Sequence, residues 1–132
     1  MSHTVEKIGG TSISDTEMVL QNVLLRKSAE GDSYGRIIIV SAYAGMTNML
    51  LEHKKSGKQG VFGLFASAQN KWAWSDALSG LSEAMRNKNA DVFDAVGDRE
   101  VADAFVMERV EGVRNCLIDL HRLCSYGQFR LD

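Results

Sequence analysis

Two stretches decide the fold: Thr4-Val5-Glu6-Lys7-Ile8-Gly9-Gly10-Thr11-Ser12 and Arg36-Ile37-Ile38-Ile39-Val40. The first spells a short strand, Thr4 to Ile8, that stops at a glycine pair. Behind it, Ser14-Asp15-Thr16-Glu17 has the form of a capping box, with Ser14 accepting from the backbone three residues on and Glu17 reaching back. A helix should follow, with Met18, Val19, Val23 and Leu24 as its apolar stripe, and Gly31-Asp32 should end it. The second stretch is a β-branched run without polar alternation, the pattern of a strand covered on both faces. Strand, helix, strand in this order makes a parallel crossover. It places the ends of both strands on one edge of the sheet, where open α/β folds bind ligands.

After Val40 the character changes. Thr47 to Lys55 reads as a second helix, and Gly57, Gly60 and Gly63 loosen the chain behind it. From Leu64 to Tyr126 helical spacing fits better than alternation, in three segments: Leu64 to Trp74, Asp76 to Asn87 and Arg99 to Cys124. The last carries the clearest stripe, Ala102, Phe105, Val106, Val113, Leu117, Leu120 and Cys124. The fold class expected is therefore α/β, a βαβ start followed by a mostly helical segment. Two strands make an incomplete sheet whose edges invite pairing. This suggests that residues 1–132 are the N-terminal piece of a longer protein, and that the open surfaces drive association into a homo-oligomer.

Composition narrows the function classes. The chain has 132 residues, 45% of them hydrophobic and 24% charged, with 15 Lys+Arg against 17 Asp+Glu. That is the balance of an ordinary globular chain, one domain at most. The slight acidity argues against nucleic acid, whose binding needs clustered cations to release counterions; only Lys54, Lys55 and Lys58 cluster. No apolar run reaches the roughly eighteen residues of a membrane helix, and the polar start of the chain has no signal-peptide core. Cys116 and Cys124 fall on one predicted helix, which suits buried thiols in a reducing cytoplasm better than a disulfide. The absence of proline, where average usage predicts about six or seven, fits a chain of regular elements.

Two constellations could carry chemistry. Lys7 before Gly9-Gly10, then Thr11, Ser12 and a helix start, is what a phosphate cradle requires. Glycines let backbone N–H groups turn to an anion, a helix N-terminus adds its dipole, and lysine meets phosphate as a mobile charge. No Walker A loop or dinucleotide fingerprint occurs. The same residues equally suit a plain strand-to-helix turn beside a solvated lysine. The second constellation is Ser41-Ala42-Tyr43-Ala44-Gly45-Met46-Thr47-Asn48, at the end of the second strand. Its small and hydroxylated residues leave room for a ligand, though Thr47 could be only a helix N-cap and Ser41 a core hydroxyl.

Together these residues carry a resemblance. Lys7-Ile8-Gly9-Gly10-Thr11-Ser12, followed by Val40-Ser41-Ala42 and Gly45-Met46-Thr47-Asn48-Met49-Leu50-Leu51, resembles the opening of an aspartokinase of the amino-acid kinase family. Ile8 stands where the family usually has Phe, an apolar exchange. Glu52-His53-Lys54-Lys55 and Tyr126-Gly127-Gln128 look most like the ectoine-associated type. The well-matched motifs cover residues 4 to 55.

The resemblance implies a partial three-layer αβα kinase fold. It also implies transfer of the γ-phosphoryl group of ATP, with Mg2+, to the β-carboxylate of L-aspartate. On that reading Lys7 neutralises the phosphoryl group in flight, Gly9, Gly10 and Ser12 hold the nucleotide phosphates, and Ser41 and Thr47 contact aspartate. The family's Gly-Glu motif, its substrate arginine, an acidic residue near the phosphoryl site and the regulatory domain are expected beyond Asp132, so the chain alone should be inactive. No metal ligand is assigned within residues 1–132. The alternatives are another amino-acid kinase, or a noncatalytic helical interaction domain that keeps a phosphate loop.

Weaker signals fit packing better than chemistry. Cys116, His121 and Cys124 lack the geometry of a zinc site, and Trp72, Trp74, Phe62 and Phe65 are expected to fill the core. His3 and His53 have no partner pattern.

Overall fold

A computed structural model of the chain describes residues 4–24, 35–67 and 72–127. It divides into two compact units, Met1–Ala44 and Gly45–Asp132.

The first unit holds the expected parallel pair. Strands β1 (Thr4–Ile8) and β2 (Arg36–Val40) run side by side with Lys7 opposite Ile39 and Ile8 opposite Val40. Their bounds are those that the β-branched run and the glycine stop dictate. The chain then makes a 3-10 turn over Ser12–Ser14, a short helix α1 (Thr16–Val19) and a π-helical turn over Leu20–Leu24. Ile8 and Val19 are buried, and the Nη2 of Arg36 donates to the Val23 carbonyl at 2.7 Å, tying the helical segment to the sheet.

Two expectations for this unit change. Asp15, not Ser14, caps the helix: its carboxylate accepts from the Met18 N–H at 3.1 Å. The cause is the 3-10 turn, which turns the Ser14 hydroxyl back to donate to the Gly10 carbonyl at 3.2 Å, while Glu17 accepts from Gln21 instead of reaching back. The second change concerns β2, which is not covered on both faces. Ile37 and Ile39 are each 52% exposed and Val5 63%, and among the described residues the tie to the helical segment, Arg36 to the Val23 carbonyl, is on the other face. The expected helix stop at Gly31-Asp32 lies outside the described residues.

The second unit is helical: α2 (Met46–Leu50), α3 (Val61–Ser67), α4 (Ala73–Val92) and α5 (Val96–Ser125). Among its described residues there is no strand, only an isolated antiparallel bridge between Glu52 and Gln59. Helix α2 stops at Leu50, earlier than Lys55, because Leu51 leaves helical geometry with φ −103° and ψ −87°. Lys54 and Lys55 then lie in a turn that Gly57 closes at φ 66°. Helices α2 and α3 both pack on α4, and α4 packs on α5.

The core is Met46, Val61, Phe65, Trp74, Leu78, Leu81, Val106 and Val110. Phe65 and Trp74 meet edge to face with centroids 5.7 Å apart, the orientation the ring quadrupoles favour. Phe62 and Trp72 do not join them and are 53% and 59% exposed. Trp72 lies two positions from Trp74, and residues at that spacing do not share a helix face. On α5 the buried stripe is Val106 and Val110, whereas Phe105 and Val113 are exposed.

Helices α4 and α5 form an antiparallel hairpin pinned at both ends. Near the connection the buried Asn89 donates to Asp103 at 2.9 Å. At the far end Arg114 donates to the Ser75 and Ser79 hydroxyls.

Gly60 also departs from expectation. It is buried, and its N–H donates to the Leu51 carbonyl at 2.8 Å. A Cβ there would lie 2.5 Å from the Met49 carbonyl oxygen and 2.7 Å from that of Leu51. Gly60 is a close-packing residue, not a loosening one.

Candidate functional site

The site is built at the ends of β1 and β2. Lys7 is exposed on the sheet face that also carries Val5, Ile37 and Ile39. After the buried Ile8 the chain turns through Gly9 and Gly10, and the Ile13 N–H closes the turn on the Gly9 carbonyl at 3.0 Å. Ser14 and Asp15 donate their backbone N–H groups to Thr11 and Ser12. Among the described residues, no backbone carbonyl accepts from the N–H groups of Gly10, Thr11 and Ser12. These donors, beside a lysine, are what an anion cradle requires.

The glycines keep that loop open. A Cβ on Gly9 would meet nothing within 4 Å, and one on Gly10 would stop 3.5 Å from the Ser41 hydroxyl. The second strand is joined at the same place, where the Ser41 N–H donates to the Ile8 carbonyl at 3.0 Å. Gly9, Gly10, Ser12 and Ser41 therefore belong to one corner of the first unit. Ser41 is exposed, so it is not a core hydroxyl.

The helix N-terminus contributes less than expected. Helix α1 has four residues, and Asp15 already places a carboxylate at its first turn. An anion in the loop would therefore be held by loop N–H groups and Lys7, with little help from a helix dipole.

Thr47 stands in the second unit, exposed in the first turn of α2. It is not the N-cap; that position is Gly45, with φ 86°, and has no capping side chain.

Three features were not singled out from the sequence. Asp15 lies inside the Ser14–Glu17 box, whose pattern predicts Ser14 as the cap. The ion pair of Glu6 with Arg36 spans thirty positions, which no local pattern signals. The Glu6 carboxylate accepts two hydrogen bonds from the guanidinium and raises the Arg36 pKa further above its ordinary value, desolvation working against it. Burial alone pushes the Tyr43 phenol above its ordinary 10.0.

The weaker candidates stand apart from this corner. Cys116 is exposed and Cys124 half-buried, not buried as expected, since Cys116 lies off the buried face of α5. Among the described residues no three His, Cys, Asp or Glu side chains are grouped to hold a metal ion. The loop offers N–H donors of the kind from which phosphate oxygens accept. No helix among the described residues is long and apolar enough to cross a membrane.

Comparison with known proteins agrees with the motif reading. The chain is 46% identical over 130 residues to the aspartate kinase Ask_Ect of Stutzerimonas stutzeri (strain A1501), a match covering 98% of this chain and 27% of the relative. The resemblance drawn from residues 4 to 55 thus extends over nearly the whole sequence, while the chain spans about a quarter of that relative's length. No family model matches the chain, and no solved structure matches it.

Proposed function

We propose, from this kinship with an aspartate kinase, that the chain supplies the phosphate-binding corner of an enzyme that moves the γ-phosphoryl group of ATP to the β-carboxylate of L-aspartate. The product is 4-aspartyl phosphate, the activated acid from which aspartate-family amino acids or ectoine are built. The observation that carries the reading is the corner itself: an open Gly9-Gly10 loop with Ser41 at its side, the N–H groups of Gly10, Thr11 and Ser12 meeting no backbone carbonyl among the described residues, and Lys7 just before it in the chain.

Phosphoryl transfer asks a protein for positioning and charge stabilisation more than for covalent help. Lys7 neutralises charge on the group in flight, and the loop of Gly9, Gly10 and Ser12 holds the nucleotide phosphates. Ser41 and Thr47 contact aspartate. Two anions must be held together against their repulsion, and a cation beside fixed N–H donors does that. Magnesium enters with ATP, and no residue of this chain is assigned to it.

The remaining parts of the reading are the cytoplasm, as the place of a biosynthetic kinase, and a homo-oligomer. The latter is supported by the parallel pair of strands, since unpaired strand edges invite pairing with another chain. The 132 residues alone are inactive, because the substrate arginine and acidic residue of the family are not assigned to them.

A chimaera tests this. With this chain in place of the matching 130 residues of the relative, ATP- and aspartate-dependent formation of acyl phosphate, trapped as the hydroxamate, is expected. The chain by itself should give none. A folded chimaera without activity would sink the proposal.

A further inference from the structure

The register of the β1–β2 pair is set only in part by its apolar residues. It has two apolar pairs, Val5 with Ile37 and Ile8 with Val40, and a slide of β2 by one position still keeps one apolar pairing in either direction, Val5 with Ile38 or Ile8 with Ile39. A parallel pair also has no hairpin turn to fix its alignment. Yet a slip by one position turns every side chain to the other face. With Ile8 buried and holding β1 in place, it is β2 that would turn, and Ser41 would leave its place beside Gly10.

One interaction is not degenerate in this way. Glu6 lies opposite Ile38 and Arg36 opposite Thr4, so the two are diagonal neighbours on the covered face, within reach for long side chains. Arg36 Nε donates to Glu6 Oε1 at 2.9 Å, and Nη2 donates to Oε2 at 2.7 Å. The planar fork fixes direction as well as distance. The Arg36 side chain is 11% exposed and that of Glu6 37%, so salt screens the pair in part. Its Nη2 also donates to the Val23 carbonyl, so one guanidinium joins both strands and the helical segment. After a one-position slip, Arg36 and Glu6 would lie on opposite faces and both bonds would be lost.

We propose that Glu6 and Arg36 are positioning residues for Ser41: their forked ion pair pins the one strand register in which Ser41 stands beside Gly10. That the place of Ser41 matters for holding aspartate rests on the reading above. The pinning of the register does not.

Disulfide trapping reads the register directly in the 132-residue chain with Cys116 and Cys124 replaced by serine. Val5 and Ile37 are Cα partners, so Val5→Cys with Ile37→Cys should cross-link under mild oxidation, within disulfide reach. Val5→Cys with Ile38→Cys should not, since those side chains point to opposite faces.

Adding Glu6→Gln is expected to lower the first cross-link and raise the second. The charge-swapped pair Glu6→Arg with Arg36→Glu should restore the original pattern, even if Glu6→Gln loses both cross-links by unfolding. An unchanged pattern in Glu6→Gln, or a swapped pair that restores nothing, overturns the proposal. Because trapping needs neither ATP nor aspartate, a chimaera without kinase activity would leave this result standing.

Discussion

Gly10 and Ser41 approach closely across the ends of the two strands: a Cβ on Gly10 would lie 3.5 Å from the Ser41 Oγ. That is ordinary van der Waals distance, and Gly10 is not among the glycines held at positive φ. Gly10→Ala should therefore fold normally. Its methyl group would instead crowd the loop N–H groups that an anion must approach. The expected outcome is a thermal midpoint within a few degrees of the parent and a weaker affinity for ATP in the active chimaera, measured by titration calorimetry. A large loss of stability would show that the loop is tighter than described.

Gly60→Ala should behave in the opposite way. Its Cβ would press on the backbone of Met49, Leu50 and Leu51, which cannot yield as a flexible side chain can. Overpacking of this kind costs about 1–3 kcal/mol, and urea denaturation should show that loss. Stability equal to the parent would mean that the end of α2 moves freely.

Leu78 is fully buried in the helical unit. Leu78→Ala removes its methyl groups and leaves a cavity, for an expected loss of about 2–5 kcal/mol. Equilibrium unfolding followed by far-UV circular dichroism checks this, and a change under about 1 kcal/mol would contradict the placement of α4 at the centre of the unit, because a core Leu→Ala costs more than that.

The Tyr43 phenol, raised by burial above its ordinary 10.0, predicts a pH effect. The folded protein keeps this proton to higher pH than the unfolded chain does, so between the two pKa values the folded state binds more protons and stability falls as pH rises. The contribution is complete below pH 10 and disappears as pH climbs through the folded pKa. Tyr43→Phe should flatten that part of the stability profile. A profile identical to the parent's would mean that the phenol is equally solvated in both states.

These expectations also show where the sequence was readable. The bounds of β1 and β2 were legible because a β-branched run and a glycine pair leave little choice of where a strand starts and stops. The covering of β2 was not, since it depends on what packs against Ile37 and Ile39. Helix α5 was readable from its length, but its buried stripe, Val106 and Val110, is narrower than the apolar pattern suggested. Buried Gly60 looks in sequence like any loop glycine; its role comes from carbonyls that arrive from the end of α2. The loop of Gly9, Gly10 and Ser12 was visible as a motif. Its cap was misplaced by one residue because a 3-10 turn intervenes, and the pairing of Glu6 with Arg36 is invisible to any local reading.

The central claim is that Lys7 stabilises the phosphoryl group in transfer, and Lys7→Ala in the active chimaera tests it most directly. Steady-state kinetics should show kcat lowered by about 10²–10³-fold, the usual consequence of removing one group that stabilises transition-state charge. The KM for ATP should change far less, since the proposed function assigns the nucleotide phosphates to the loop N–H groups. A kcat within a few-fold of the parent, with the loss confined to KM, would contradict the account.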